Sequence, residues 1–162
     1  MTSRRVLLVD GYNLFIRHYA ANPSMSQNGE PIGGTVGFFN NLVRLIDRCN
    51  PDEAIVIWEG GGSKRKRDLF SDYKRKSRPV KLNRYYDSSD IPDTLSNRNH
   101  QISLLIKLID CFPVNQLYIE DAEADDLIGY LCKYKFKDDQ KVIVSSDHDY
   151  YQLINFMSKL IW

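Results

Sequence analysis

The sequence predicts an α/β fold of three layers, with helices packed against a mostly parallel central sheet. Three observations predict it. Four short apolar runs, Arg5–Asp10, Ala54–Trp58, Val114–Ile119 and Lys141–Val144, are continuous rather than alternating, as strands buried on both faces are. Amphipathic helical patterns lie between these runs. The 162-residue chain has the length of one domain, and its 43% hydrophobic and 27% charged residues exclude a disordered chain or a low-complexity fibre.

The first run is rich in β-formers and ends at Asp10, with Gly11 following as a turn residue. The spacing then predicts a helix over Val36 to Cys49, with Val36, Phe39, Leu42, Val43 and Ile46 on one stripe. The second strand ends at Glu59, before Gly60, Gly61 and Gly62. Residues 60–98 break the rhythm, being basic and rich in Tyr, Ser, Asp and Pro; an excursion of that length in a compact domain is functional or disordered. A helix over Ile102 to Cys111 aligns Ile102, Leu105, Ile106 and Ile109. The third strand run ends near Glu120 and Asp121, and a helix over Ala124 to Tyr134 turns Leu127, Ile128 and Leu131 inward. The fourth strand leads into Ser145-Ser146-Asp147-His148-Asp149.

No apolar run reaches the ~18 residues of a membrane helix. Met1 to Arg5 leads straight into the first strand, so no signal peptide is expected. Cys49, Cys111 and Cys132 form no CxxC pair; they are expected to be buried thiols in a reducing compartment.

The net charge of +1 conceals a dipole. Residues 63–84 hold ten Lys/Arg against Asp68 and Asp72, a segment charge of +8, so the remainder carries −7. The acids of that remainder fall at strand ends: Asp10, Glu59, the cluster Glu123/Asp125/Asp126, and the pair Asp147/Asp149. Ligands of open parallel sheets bind at the carboxyl ends of strands. Seven acids converging there repel one another unless cations neutralise them, and hard, oxygen-liganded Mg²⁺ or Mn²⁺ fits that chemistry. Each piece also has a plainer role. Asp10 would serve a turn, the Glu123 cluster a helix dipole, Asp147 and Asp149 a helix cap and first turn, and Glu59 a solvated loop. A nucleophilic triad around His148 has no Ser or Cys at motif spacing.

At this point the motifs resemble the 5′-nuclease family: flap endonucleases, the 5′-exonuclease domain of bacterial DNA polymerase I, and phage 5′–3′ exonucleases, all with a PIN-like core. Val9-Asp10-Gly11-Tyr12-Asn13-Leu14 resembles its opening motif, and Glu120 to Gly129 is similar to its E-A-D-D-x-I-G motif. Val144 to Leu153 matches its S/G-x-D-x-D-x-x-Q-L motif. Ser63 to Arg84 looks like the basic helical arch, closest to phage versions. Two details depart from the pattern. Glu59 stands where the family has aspartate, and its longer reach favours ligation through water. The arch reads Tyr73-Lys74-Arg75-Lys76-Ser77-Arg78 rather than Y-K-x-N-R, which puts Arg78 one place late.

The resemblance implies a PIN-like domain over residues 1–162 with the arch as an insertion at about 60–98. The family continues into a helix-hairpin-helix half that grips duplex. That half is expected to be absent here, leaving a truncated or split product or one completed by a second chain. The implied reaction is metal-dependent 5′–3′ exonuclease or flap endonuclease cleavage of DNA near 5′ ends or single-strand/duplex junctions. RNA primers or RNA/DNA hybrids are further substrates, and the setting is replication or repair in the cytoplasm of a bacterium or phage-infected host. Asp10, Glu59, Glu123, Asp125, Asp126, Asp147 and Asp149 would hold two Mg²⁺ or Mn²⁺ ions. Asp10, Glu59, Asp125, Asp126 and Asp147 are the implied catalytic acids, and Lys74 is the implied catalytic cation. Arg65, Arg67, Tyr73, Lys74, Arg75, Lys76, Arg78, Lys81 and Arg84 would bind nucleic acid, and Tyr73, Tyr85 and Tyr86 would stack on unpaired bases. Gly33-Gly34-Thr35 either binds a phosphate with free N–H groups or forms a turn capped by threonine. The competing expectations are a noncatalytic nucleic-acid-binding remnant and a PIN-type ribonuclease, against which the long basic segment argues.

Overall fold

The computed structural model describes residues 4–62, 66, 68, 95–155 and 158–161. The arch read from the sequence falls mostly on 63–65, 67 and 69–94, which lie outside the described residues.

Strand β1 (Arg5–Asp10) runs directly into helix α1 (Gly11–Ala21). Helix α2 (Gly33–Cys49) leads to β2 (Glu53–Trp58). Helix α3 (Leu95–Ile109), β3 (Asn115–Tyr118), α4 (Ala124–Tyr130) and a π-helical turn (Leu131–Lys135) follow. The described chain closes with β4 (Gln140–Val144), a 3₁₀ turn (His148–Leu153) and β5 (Ser158–Ile161). The sheet has the order β3-β2-β1-β4-β5, and every pair is parallel. Central β1 faces both neighbours in register, with Val9 opposite Val56 on one side and Val144 on the other.

The continuous apolar runs follow from burial on two faces. Leu7, Val9, Val56 and Trp58 point toward α1, α2 and α3, where Phe15, Tyr19, Phe38, Leu42 and Leu105 pack. Val6, Leu8, Ile55, Ile57 and Ile143 point the other way, toward Ile128, Leu131, Phe136 and Tyr150. The three layers are therefore two apolar cores separated by one sheet.

Several expectations need correction. Gly11 is the first residue of α1 rather than a turn between elements. A Cβ there would lie 2.7 Å from the Trp58 ring and 2.9 Å from the Ile57 carbonyl, so glycine lets the helix start against β2. The inward stripe of α2 is Phe38, Leu42, Leu45 and Cys49, with Val43 48% exposed; α1 and α3 clasp the helix one residue round from the predicted stripe. The helix predicted to Tyr134 changes to π geometry at Leu131. Cys111 is exposed in the turn after α3, while Cys49 and Cys132 are buried. Lys159-Leu160-Ile161 belongs to the fifth strand, which the sequence reading did not contain.

Gly60 positions the end of β2. Its N–H donates to the Ala122 carbonyl and its own carbonyl accepts from the Asp121 N–H, both at 2.9 Å. A Cβ at Gly60 would lie 1.8 Å from the Ile119 oxygen. Gly60→Ala is expected to destabilise the domain by about 1–3 kcal/mol, because two hydrogen-bonded backbones must separate. Gly129→Ala, in a helix with open space around the new methyl, is expected to stabilise it by about 0.5–1 kcal/mol. Urea unfolding midpoints of the two variants check the contrast.

Candidate metal centre

Because every strand runs the same way, whatever follows each strand emerges at one edge of the sheet. Asp10 ends β1 and is 8% exposed. Its Oδ1 accepts from the Asn13 N–H at 3.2 Å, which makes it the N-cap of α1. Its Oδ2 accepts from Ser145 Oγ and Tyr150 Oη, each at 3.1 Å. Burial pushes the Asp10 carboxyl above its ordinary range; the three hydrogen bonds oppose the rise without cancelling it, and the charge of Asp147 adds to it.

The end of β4 is tied to the same place. Asn13 Oδ1 accepts from the Ser146 N–H at 3.0 Å and the Ser146 hydroxyl at 2.9 Å. Ser145 Oγ, while donating to Asp10, accepts from the Asp147 N–H at 3.1 Å. Asp147 caps the 3₁₀ turn by accepting from the Asp149 N–H at 3.0 Å, and both acids are exposed. The cap expected for Asp147 and the first-turn place expected for Asp149 are thus present, while Asp10, expected to serve a turn, is instead a helix N-cap; each keeps carboxylate lone pairs for other partners. Tyr150 is 1% exposed and links the lower core to Asp10. Burial pushes its hydroxyl far up, reinforced by Asp10 and by the charges of Asp125 and Asp147. It therefore stays a neutral donor.

Glu123, Asp125 and Asp126 form the densest acidic group among the described residues, with one potential ligand atom of each within 4.8 Å of the others. Glu123 is the N-cap position of α4 and is 2% exposed; Asp125 and Asp126 stand in its first turn. The side chain of Glu123 makes no cap hydrogen bond. It pairs instead with Lys66, whose Nζ lies 2.6 Å from Glu123 Oε2, 2.9 Å from Asp126 Oδ2 and 4.0 Å from Asp125 Oδ1. Burial pushes the Asp125 carboxyl up; Lys66 and the Asp126 N–H pull it back, and Asp126 and Glu123 push it further. Burial works to lower the Lys66 ammonium, but its hydrogen bonds to Glu123 and Asp126 and the charges of Asp125 and Asp126 prevail and hold it above the ordinary lysine range.

Tyr150 is thus bound to Asp10 and feels the charges of Asp125 and Asp147, while Lys66 ties Glu123 to Asp126 beside Asp125. Glu59 is exposed beyond β2 and is not part of the compact trio, nor is Asp149. Lys66 and Tyr150 were not singled out from the sequence. Tyr150 directly follows the Asp147-His148-Asp149 motif, and that adjacency was a usable signal; Lys66 was one of ten like charges in its segment. Arg65, Arg67, Tyr73, Lys74, Arg75, Lys76, Arg78, Lys81 and Arg84, with Tyr85 and Tyr86, lie outside the described residues. Gly33-Gly34-Thr35 is buried and already engaged. The Gly34 N–H donates to Gln101 Oε1 and Thr35 Oγ1 donates to the Gln101 carbonyl, each at 2.8 Å, so this turn is a joint between α2 and α3 rather than a phosphate cradle.

The all-carboxylate donor set suits hard divalent cations. The ammonium lodged among the three acids is direct evidence that this position favours a cation. Residues 5–161 match the family described as "5′-3′ exonuclease, N-terminal resolvase-like domain". The chain belongs to this family. It is 28% identical over 161 residues to the 5′-3′ exonuclease of Bacillus subtilis (strain 168), covering 95% of this chain and 49% of that protein. It is 28% identical over 153 residues to the thermostable DNA polymerase I of Thermus aquaticus, covering 93% of this chain and 17% of that protein. The chain therefore spans about half, or less, of these relatives. Among solved structures, the bacteriophage T5 D15 flap endonuclease in a pseudo-enzyme-product complex with DNA and metal ions shares the fold with a TM-score of 0.73. That match has 16% identity and covers 98% of this chain and 54% of that one. A zinc-bound T5 5′-exonuclease gives a TM-score of 0.71 at 17% identity, covering 98% and 55%. The fold of the 5′-3′ exonuclease N-terminal domain is thus the fold seen here, and its parallel strands deliver acids to one edge.

Asp10 carries a testable consequence of its burial. Its raised value means that its contribution to stability is complete below the ordinary carboxylate range and is lost as pH rises through the raised value. In EDTA at pH 7, Asp10→Asn, which keeps a capping oxygen, is expected to melt at or above the wild-type temperature. The gap is expected to narrow toward pH 3. Calorimetry across that range checks it; a variant clearly less stable at pH 7 contradicts the account.

Proposed function

We propose that this domain is the catalytic core of a divalent-metal-dependent 5′–3′ nuclease that hydrolyses phosphodiesters of DNA near 5′ ends or single-strand/duplex junctions. The observation that carries the reading is the acidic trio of buried Glu123, half-buried Asp125 and exposed Asp126, which holds a cation at the carboxyl edge of the sheet in a chain of the 5′-3′ exonuclease family. Asp10, Glu59, Glu123, Asp125, Asp126, Asp147 and Asp149 would hold two Mg²⁺ or Mn²⁺ ions, with exposed Glu59 and Asp149 acting through water. Bound there, the ions would supply activation of water and stabilisation of the leaving oxygen.

The chain's own part is geometric and electrostatic. Asp10 is held by Ser145 and Tyr150 on Oδ2 and by the α1 cap on Oδ1, which fixes its carboxylate at the end of β1. Glu123 and Asp125 are drawn from one helix start, which fixes their spacing. Lys74 would meet the scissile phosphate, and Arg65, Arg67, Tyr73, Arg75, Lys76, Arg78, Lys81 and Arg84 would follow the flanking backbone. We take residues 1–162 as one PIN-like unit with the arch at about 60–98. The relatives are longer than the matched segment, and a further region, on this or a second chain, would grip duplex. RNA/DNA hybrids are a secondary substrate on this reading, and a cytoplasmic setting suits it; no described helix is long and apolar enough to cross a membrane.

The experiment is Mg²⁺-dependent cleavage of a 5′-flap DNA. Asp125→Asn and Asp147→Asn are each expected to slow it about 100-fold or more, since even outer partners of metal ligands cost 10–100-fold. The six phosphate contacts of Arg65, Arg67, Arg75, Lys76, Lys81 and Arg84 by themselves predict a log–log salt slope of about −5 on duplex. Tight, salt-sensitive binding without cleavage at any protein concentration would instead mark a noncatalytic binding domain, and cleavage of single-stranded RNA alone a PIN-type ribonuclease.

A further inference from the structure

Lys66 stands apart from the rest of the basic segment because its charge is spent inside the acidic site. Its ammonium lies 2.6 Å from buried Glu123 and 2.9 Å from Asp126, with Asp125 at 4.0 Å. These are the same three side chains that form the candidate ligand group. We infer that Lys66 is a built-in counter-ion of the metal-free site, displaced when a divalent cation binds, so that metal loading and release of this lysine toward substrate phosphate are one exchange. The inference deepens the proposed nuclease reading and rests on it.

The physical grounds are charge and distance. Three carboxylates, one of them 2% exposed, cannot stay ionised side by side without a cation. The ammonium brings one charge to hydrogen-bond distance. A divalent ion brings two charges to roughly 2.0–2.1 Å, so the same oxygens bind it more strongly. The two cations also repel, and both need Glu123 and Asp126, so they exclude one another. Lys66 is part of the long segment that enters after Gly62, and its side chain is 32% exposed, so it has open space to leave into. Once displaced, the ammonium remains beside the loaded site, where a substrate phosphate offers it an opposite charge. Metal binding thereby turns a cation that neutralises the protein into one that neutralises the substrate.

The test needs no substrate. Mn²⁺ titrated calorimetrically is expected to bind Lys66→Met at least about tenfold more tightly than wild type, about 1.4 kcal/mol, because no ion pair has to break. Lys66→Arg is expected to stay near wild type. In EDTA, Lys66→Met is expected to melt below wild type, and saturating Mn²⁺ to close the gap. In the wild-type protein itself, the hydrogen-bonded Lys66 ammonium is expected to give a protected ¹H–¹⁵N resonance in EDTA that is lost as Mg²⁺ is added. Equal or weaker Mn²⁺ binding by Lys66→Met, or a Lys66 resonance that persists at saturating Mg²⁺, would overturn the exchange while leaving the metal site intact. Absence of Mn²⁺ binding in wild type and variants alike would overturn the metal reading and the exchange together.

Discussion

Negative charge held close together and away from water is the constraint on which this architecture turns. A parallel sheet sends the end of every strand to the same edge, and here the ends of β1 to β4 lead into carboxylates. Two of them, Asp10 and Glu123, are nearly inaccessible to solvent. Each is accommodated differently. Asp10 is surrounded by three donors, from α1, from Ser145 just after β4 and from the 3₁₀ turn. Glu123 takes a lysine ammonium. Neutral donors leave the burial of Asp10 uncancelled, so its carboxyl stays above its ordinary range, while Glu123 meets a full positive charge at hydrogen-bond distance.

The rest of the fold resists that repulsion. Two apolar cores, one on each face of the sheet, provide the burial that keeps the edge together. Short polar ties carry that rigidity outward: Asn13 grips Ser146, Ser145 orders Asp147, and Gly60 locks the end of β2 to the loop before α4. Tyr150 belongs to both systems, its ring in the lower core and its hydroxyl on Asp10. Losing core packing at Tyr150 would therefore disturb the acid directly.

Much of this was legible because parallel strands announce themselves by continuous apolar runs. The cores of β1, β2 and β4 and the segment of β3 coincide with the expected runs to within a residue or two. The convergence of acids followed from strand direction alone. Other features were not legible. Helix α1 was missed because Gly11 reads as a turn when the Trp58 ring it touches is far away in sequence. The buried face of α2 was misjudged because Phe38 and Phe39 are both apolar, and only packing against α1 and α3 chooses between them. Strand β5 is four residues long, too short for a pattern, and exists because β4 offers it a ladder.

What the sequence determined by itself is the layered α/β arrangement and the kinds of residue that arrive at the carboxyl edge, because both depend on local pattern and chain direction. Only the tertiary structure decided which acids share a ligand position, which are buried, and which cation answers them. Those are questions of distance across β1, β4, α4 and a lysine more than fifty residues before Glu123. Coulomb energy depends on separations of a few ångströms, and no spacing along the chain encodes those until the two cores have closed around the sheet.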